Sequence, residues 1–195
     1  LESYNAARQK VSQAAAENVR AVANLRFRDE KFVIAVGPEF PLGVVGLVAG
    51  KIAHEIGKPT GVFQQGEVTS TGSFRSIPGF SIIETLEECA DLFEKFGGHE
   101  QAAGLTIRND RMDAFLERFG AIVRERLRDV ETVPELLIDA ELHPEDLSID
   151  LVRELSDLAP FGEGNPQPIF RLSRLHIHDA RTVGKEGKHW KLALG

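Results

Sequence analysis

Between residues 32 and 128, short strand-like runs alternate with stretches of helical periodicity, and this alternation constrains the fold more than any other feature. Residues 32–36 form an unbroken apolar run, as expected of a strand that is covered on both faces. Apolar residues then recur at three- and four-residue spacing over 43–56, which predicts a helix that Gly57 ends. Strands that alternate with helices indicate an α/β sheet with helices on both sides.

The same patterns place the other elements of this region. The predicted helices are 1–25, 82–95 and 110–128, and the predicted strands are 60–64, 68–74 and 104–108. The helix over 1–25 carries a modest stripe of Ala and Val, so it needs a partner surface.

The composition changes near residue 130, where a linker is predicted from Asp129 to Glu135. Beyond it we predict a smaller domain that is rich in β structure. Its elements are a strand at 136–142, a helix at 150–158 capped near Ser148 or Asp150, a Pro- and Gly-rich loop at 160–168, and β runs around 169–178 and 188–194. Because the chain starts without Met and its last run ends at Gly195, we expect it to be part of a longer protein.

Charge is spread unevenly along the 195 residues, whose formal net charge is −7. Residues 129–163 hold one basic and 11 acidic residues, whereas residues 164–195 hold 6 basic and 2 acidic ones. The overall acidity argues against non-specific binding to nucleic acid, but the basic end leaves room for a local nucleic-acid surface. The acidic stretch is equally well explained as a solvated face and linker.

Cysteine usage and hydropathy limit the location of the protein. The single cysteine, Cys89, excludes an internal disulfide framework and a cysteine-based zinc site. Residues 1–25 are polar and carry no secretory signal, so we expect a reducing, cytoplasmic location. No apolar run approaches the roughly 20 residues that a membrane helix needs.

Three runs could bind phosphate, and the first is the weakest. Gly43, Gly46 and Gly50 enter the helix after the first strand, where free N–H groups could face an anion. Their spacing matches neither nucleotide-binding fingerprint, so we favour a packing role that lets the helix lie close to the sheet.

The second run, Thr71 to Gly79, places Arg75 between Ser73 and Ser76 at the end of a predicted strand. An arginine offers a planar fork to phosphate oxygens, and serine hydroxyls add neutral donors. The alternative, an arginine that ties down the turn at Pro78 and Gly79, explains the spacing equally well.

The third run, Phe96 to Gly104, is the strongest signal. Gly97 and Gly98 permit close backbone approach, and His99 follows them directly. We predict a tight anion-binding turn with a histidine donor. The alternative is a helix end followed by a histidine that is satisfied within the protein.

The strings Gly-Ser-Phe-Arg-Ser and Gly-Gly-His-Glu-Gln-Ala-Ala-Gly resemble the DHHA1 domain of DHH-family phosphoesterases. Together with Pro160 to Phe170 and the Gly-Lys-His-Trp-Lys-Leu run at 187–192, they make the chain look like the RecJ-type single-strand-specific exonucleases. The resemblance implies an interdomain linker helix over 1–30, a DHHA1-type mixed sheet with helices on both faces over 31–130, and an incomplete OB-fold-like β domain over 131–195.

The family degrades single-stranded DNA from the 5′ end with Mn²⁺ or Mg²⁺, in repair and recombination, and its metal ligands lie mainly in a DHH domain. No Asp-His-His occurs in this sequence. The resemblance therefore implies the substrate-binding half of an exonuclease, inactive alone and monomeric, with single-stranded DNA and a single-strand-binding protein as partners.

The resemblance also implies which residues contact DNA in the DHHA1 region. The cleft near the scissile phosphate would be lined by Ser73, Arg75, Ser76, Gly97, Gly98 and His99. Of these, Arg75 and His99 would hold the phosphate and neutralise the charge that develops on it.

In the OB-like region, strand alternation separates a core face from a DNA face. Trp190 shares one face with Leu192 and Leu194, so we predict that it lies in the core, with His189 and Lys191 outward. A change of phase between Leu172 and Leu175 predicts a bulge. Beyond that bulge, the predicted DNA-binding residues are Arg174, His176, His178, Lys188, His189 and Lys191.

Two other functions stay open at this stage. One is a DHHA1 phosphodiesterase for short oligonucleotides or cyclic dinucleotides, which would not need residues 131–195. The other is a non-catalytic module that binds single-stranded DNA.

Overall fold

The computed structural model describes residues 2–130, 136–162, 164–184, 187 and 189–195. The chain divides into two compact units, Leu1–Pro134 and Glu135–Gly195. The first unit contains a five-stranded sheet, and the second contains two two-stranded sheets. Of the predicted linker, residues 131–135 lie outside the described part of the chain.

The first unit is a mixed sheet with helices on both faces, which confirms the predicted α/β class. Its elements are α1 (Glu2–Arg26), β1 (Val33–Gly37), α2 (Leu42–Ile56), β2 (Thr60–Gln65), β3 (Thr69–Arg75), α3 (Ile82–Glu87), β4 (Phe93–His99), β5 (Ala102–Arg108) and α4 (Met112–Arg126). The strand order is β1-β2-β3-β5-β4. Strands β1 and β2 pair in parallel, and the other neighbours pair antiparallel.

Helix α2 ends where the sequence predicts. Gly57 has φ 64°, the left-handed conformation that glycine adopts without steric cost. Its N–H donates to the Ala53 carbonyl at 2.9 Å, which satisfies one of the last free carbonyls of the helix. The helix therefore stops in time for β2 to return alongside β1.

An aromatic cluster fills the space between the sheet and α4. The ring centroids of Phe74 on β3 and Phe115 on α4 lie 6.1 Å apart in an edge-to-face arrangement, and Phe63 on β2 joins them. Phe119 contacts Phe74 at 5.2 Å. All four side chains are fully buried, so this face of the sheet is the centre of the core.

The predicted helix over 82–95 is wrong in its second half. Helix α3 covers only Ile82–Glu87, a short 3-10 turn follows, and β4 begins at Phe93. Pairing with β5 explains the difference: as a strand residue, Phe93 packs against Phe115 with centroids 5.2 Å apart. Helical spacing in the sequence loses to this tertiary packing.

The glycine turn predicted at Gly97, Gly98 and His99 is also wrong, because these residues pair with β5. These three residues lie within β4 at the edge of the sheet, and the chain reverses only at Glu100 and Gln101.

The second unit contains β6 (Ala140–Leu142), α5 (Ile149–Asp157), β7 (Phe170–Leu172), β8 (Ile177–Val183) and β9 (His189–Leu194). Strands β6 and β7 pair in parallel, and β8 and β9 form an antiparallel hairpin. The Ser148 side chain accepts a hydrogen bond from the Leu151 N–H at 3.0 Å, so the predicted cap of α5 is confirmed. The strand expected over 136–142 is shorter than predicted.

No described residue of the second unit is buried. Trp190 is 69% exposed, so its predicted core position is wrong in this structure. The strand alternation is correct, but no described part of this unit covers the Trp190 face of the hairpin. Among the helices described in either unit, none has the length and apolarity to cross a membrane.

Candidate nucleic-acid interface

Strands β3 and β5 each have one buried face and one more open, polar face, and β4 beside them is exposed apart from Phe93. Side chains alternate along a strand, and residues directly opposite in an antiparallel pair share a face. Phe74, Ala103 and Gly98 align across the three strands on the α4 side. The next row, Arg75–Ala102–His99, therefore points to the other side, and the sheet brings together two residues that are 24 positions apart in sequence.

Arg75 lies half-buried at the end of β3, and only part of its hydrogen-bonding capacity is used within the described residues. Its Nη1 donates to the Phe74 carbonyl at 2.9 Å and to Ser73 Oγ at 3.3 Å. A guanidinium carries five N–H donors, and within the described residues Nε and Nη2 have no hydrogen-bond acceptor, so their donors are available to a ligand. An arginine held in this way can receive a phosphate with little further ordering.

Two glycines of α2 make room for this arginine. A Cβ at Gly46 would lie 3.2 Å from Arg75 Nη2 and 3.3 Å from Ser73 Oγ. A Cβ at Gly50 would lie 3.6 Å from Arg75 Cγ. The glycines of α2 therefore let the helix approach β3 with the Arg75 side chain between them, which agrees with the packing role favoured from sequence.

His99 is exposed at the end of β4, and backbone hydrogen bonds fix the hairpin that carries it. The Ser76 N–H donates to the Gln101 carbonyl, and the Ile82 N–H donates to the Glu100 carbonyl, both at 2.9 Å. The β4–β5 turn is thus tied to the loop that follows β3. His99 and Arg75 are held by one continuous hydrogen-bonded frame.

Gly97 and Gly98 have different roles although they are neighbours. A Cβ at Gly98 would lie 2.3 Å from the Ala102 carbonyl oxygen, so only glycine allows this pairing of β4 with β5. A Cβ at Gly97 would meet nothing within 4 Å, because Gly97 faces the open side. Gly97 and its partner Gly104 carry no side chains, so the open face is unobstructed beside the Arg75–Ala102–His99 row.

The two serines of the second run also differ. Ser73 lies on the open face, where its hydroxyl donates weakly to the Ala103 carbonyl at 3.4 Å and accepts from Arg75. The Ser76 hydroxyl donates to the Phe80 carbonyl within the loop. Ser76 is therefore committed to the local turn, whereas Ser73 borders the open face.

The described residues do not fit a metal. Within the described ranges, no group of three or more His, Cys, Asp or Glu side chains could hold a metal ion. Burial raises the pKa of the Cys89 thiol to about 11, so the free thiol is protonated and a poor nucleophile at neutral pH. The open face offers cationic and neutral donors, which suit an anion.

In the second unit, the β8–β9 hairpin separates a basic face from an apolar face. Lys191 lies opposite Arg181, and His189 lies opposite Val183, on one face. Trp190 and Leu192 lie on the other, as the alternation predicts. Sequence reasoning missed Arg181, which the pairing with Lys191 identifies. Two like charges directly opposite are unfavourable, and here Asp179, on the same face, lies 3.9 Å from Arg181 and offsets part of the repulsion.

The remaining predicted residues of this unit are less regular. Arg174 has φ 59° and lies before β8 rather than in the ladder, at the position of the predicted break. His176 pairs with Gly195 through backbone bonds of 2.8 and 3.0 Å. His178 lies at the register shift between Ile177 and Asp179. Lys188 lies outside the described residues.

Comparisons with known proteins match both units. The DHHA1 domain family matches residues 29–125, and the RecJ OB domain family matches residues 138–195. The chain is 36% identical over 162 residues to the single-stranded-DNA-specific exonuclease RecJ of Escherichia coli, and 28% identical over 196 residues to that of Bacillus subtilis. These alignments cover 80% and 100% of this chain.

Solved structures give the same result. The crystal structure of RecJ in complex with Mn²⁺ from Thermus thermophilus is similar over 99% of this chain, with a TM-score of 0.79 and 31% identity. A structure of exonuclease RecJ bound to manganese is similar over 69% of the chain, with a TM-score of 0.56. The chain spans 28% and 34% of those two chains, and about a quarter of the curated relatives named above.

Proposed function

We propose, since this chain belongs to the RecJ family, that it forms the DNA-binding half of a metal-dependent 5′-to-3′ single-stranded-DNA exonuclease. In this proposal the DHHA1 unit holds the phosphate to be cleaved, opposite a metal site in a DHH domain, and the OB unit holds the strand beyond it.

The observation that carries the proposal is the Arg75–Ala102–His99 row on the open face of the sheet. Arg75 keeps free donors at Nε and Nη2, and His99 lies exposed on the other side of a small alanine. Such a pair can bind a phosphate oxygen from two directions. Donors that are fixed before the reaction stabilise the charge that develops on the phosphate, at no cost of reorganisation.

The neighbouring structures contain Mn²⁺ or Mg²⁺, and we propose that the intact protein uses one of these ions. Because the described residues do not fit a metal, its ligands belong to a part of the protein beyond them. The contribution of this chain is to bind, orient and neutralise the phosphate.

The basic face of the β8–β9 hairpin supports a second contact with the strand. Arg181, His189 and Lys191 present positive or neutral donors to the phosphates of a single strand, as OB domains do with a basic groove. Trp190, which is exposed on the opposite face, is not required for this contact. We further propose a monomer that acts in DNA repair and recombination in the cytoplasm, with a single-strand-binding protein as its partner.

The test is fluorescence anisotropy of this chain with a labelled single strand and with its duplex, over a salt titration. We expect a preference for the single strand, and an affinity that falls as salt rises, because phosphate contacts release counterions. Arg75→Ala is expected to lower the affinity at least about tenfold. Arg111→Ala is the matched control, because Arg111 lies outside the Arg75–Ala102–His99 row and its guanidinium donates to the Asp91 carbonyl. Equal affinity of the Arg75→Ala chain and wild type would refute the phosphate-binding role.

The catalytic part is tested in the full-length nuclease. His99→Ala is expected to lower kcat by roughly 100-fold, as for the loss of a donor to the transition state. An unchanged kcat would leave a binding module in which His99 has no catalytic role.

A further inference from the structure

The open face of the sheet continues one row beyond Ser73 and Gly97. There, Thr71 of β3, Thr106 of β5 and Lys95 of β4 lie directly opposite one another. The hydroxyl oxygens of Thr71 and Thr106 are 3.0 Å apart, which places both side chains on the same face. Thr71 opens the second candidate run of the sequence, but neither Thr106 nor Lys95 was a candidate, and the sequence alone did not bring the three together.

We infer that the row Thr71–Thr106–Lys95, the third on this face, is a second phosphate subsite for the single strand. In this subsite Lys95 supplies the charge and the threonine pair supplies a neutral donor. The inference rests on the proposed function, because it assigns a further contact to the same strand. The subsite adds three residues to the interface. It also implies that the DNA strand crosses the sheet from the Arg75–Ala102–His99 row to the Thr71–Thr106–Lys95 row.

The threonine pair keeps one donor for a ligand. Each hydroxyl has one hydrogen, and the bond between Thr71 and Thr106 uses only one of the two. Within the described part of the chain, neither hydroxyl has another hydrogen-bond partner. Both side chains are half-buried in the floor of the face, so the second hydrogen is accessible only to a molecule that lies on that floor.

Lys95 is the uncommitted cation at this end of the face. It is exposed and forms no ion pair with any described residue. Arg108, in the next row, is engaged by Asp110, with Nη2 2.8 Å from the carboxylate. An ammonium group on a flexible stem can follow a phosphate that is not rigidly placed, which suits a contact remote from the reacting centre.

The spacing fits one strand that touches both rows. Thr71 lies four positions before Arg75, and an antiparallel strand rises about 3.4 Å per residue, so the rows lie about 14 Å apart. A stacked single strand advances about 3.4 Å per nucleotide, so about four nucleotides or fewer cover this distance. Gly97 and Gly104 lie between the rows, and neither presents a side chain that would block the path.

The test compares this chain with its variants in binding a labelled oligothymidylate of about 12 nucleotides, which exceeds the spacing several times over. Lys95→Ala is expected to lower the affinity about three- to tenfold at low salt, and to reduce the slope of log affinity against log salt by about 0.7, the value for one phosphate of a single strand. Arg111→Ala removes the same charge from a residue outside the Thr71–Thr106–Lys95 row, whose guanidinium donates to the Asp91 carbonyl, and it should change neither quantity.

A double variant, Thr71→Val with Thr106→Val, tests the neutral donor. It removes both partners of one hydrogen bond together and keeps the β-branched shape, so the fold is expected to persist. Affinity should fall a few-fold while the salt slope stays that of wild type, because no charge is lost. A thermal unfolding midpoint close to wild type confirms that each variant is folded.

The outcomes separate this inference from the proposed function. If Lys95→Ala has the same salt slope as Arg111→Ala, the second phosphate subsite is refuted. If Arg75→Ala binds the single strand with wild-type affinity, the proposed function itself is refuted. If the wild-type chain binds no strand, the comparison moves to the full-length nuclease. There Lys95→Ala is expected to raise KM and leave kcat unchanged, and an unchanged KM overturns the subsite.

Discussion

The two units present basic residues to a ligand in different ways. In the first unit, Arg75 rests between α2 and β3 above a core in which the large phenylalanines are fully buried. In the second unit, Arg181 and Lys191 lie on a hairpin whose described residues are all exposed. The first surface is fixed by the folded core, whereas the second relies on the local geometry of two strands. We therefore expect the first unit to determine where a phosphate sits and the second to add affinity.

The largest expected effect concerns the difference in burial. Phe115→Ala should lower the free energy of unfolding by about 3–5 kcal/mol, because it leaves a cavity among Phe63, Phe74 and Phe93. Trp190→Ala should change it by less than about 0.5 kcal/mol, as for other exposed positions. Urea unfolding followed by circular dichroism measures both.

Trp190 is the single tryptophan of the chain, so its fluorescence gives an independent control. An exposed indole emits at long wavelength and is quenched readily by a soluble quencher. A blue-shifted, protected Trp190, or a loss of stability comparable with that of Phe115→Ala, would show that its face of the hairpin is covered in solution and would remove the contrast between the units.

A smaller effect is expected from two neighbouring glycines of β4. Gly98→Ala should lower the free energy of unfolding by about 1–3 kcal/mol, because its Cβ would collide with the backbone of β5. Gly97→Ala should leave stability within about 0.5 kcal/mol of wild type, because its Cβ meets nothing within 4 Å. The same methyl group lies on the floor of the open face and should weaken single-strand binding by about tenfold.

Denaturant unfolding measures the stability of both glycine variants, and fluorescence anisotropy measures their affinity for a single strand. If Gly97→Ala were the less stable of the two, or bound DNA as wild type does, the assignment of Gly97 to the open face would be wrong.

These glycines also show how far the sequence could be read. The sequence was sufficient to single out Gly97, Gly98 and His99, because paired glycines permit close backbone approach and a histidine follows them directly. It could not distinguish the two glycines, because their difference depends on which of them faces β5. The strand itself was missed because Phe93 fits helical spacing as well as strand alternation, and only its contact with Phe115 decides between them.

Most other elements of the first unit were predictable from local patterns. The end of α2 at Gly57 and the alternation of β3 are fixed by conformational preference and by the burial of one face. The third row of Thr71, Thr106 and Lys95 was not predictable, because it depends on the register of three strands. In the second unit, alternation gave the correct faces of β9 but not their burial, since burial depends on what covers the strand.

The smallest expected effect concerns ion pairs. Arg20 of α1 donates two hydrogen bonds of 2.8 Å to Glu55 of α2, and both side chains are about one-third exposed. The hydrogen bond from Arg20 lowers the pKa of Glu55 below its ordinary value of 4.5. The pair therefore stabilises the fold above pH 4.5, and this contribution is lost as the pH falls through the lowered pKa.

Glu55→Gln should reduce the free energy of unfolding by about 0.5–1 kcal/mol at pH 7, and the difference from wild type should shrink as the pH falls through the lowered pKa of Glu55. In the second unit, Arg153 and Asp150 form a much more exposed pair within α5, so Arg153→Gln is the matched control, with an effect near zero. Unfolding curves at a series of pH values, from neutral down through the acid range, measure both. A difference for Glu55→Gln that persists unchanged at low pH would mean that the ion pair is not its source.

The backbone bonds that tie the β4–β5 turn to the loop after β3 have a consequence for protein engineering. Arg75 and His99 owe their positions to residues 76–82 and to Glu100 and Gln101 as much as to their own strands. Grafting the two side chains onto another sheet would therefore transfer their hydrogen-bond donors but not the relative position of Arg75 and His99. A transplant that preserves the site has to carry the contiguous segment from β3 through β5, about 40 residues, together with α2, whose glycines leave room for the Arg75 side chain.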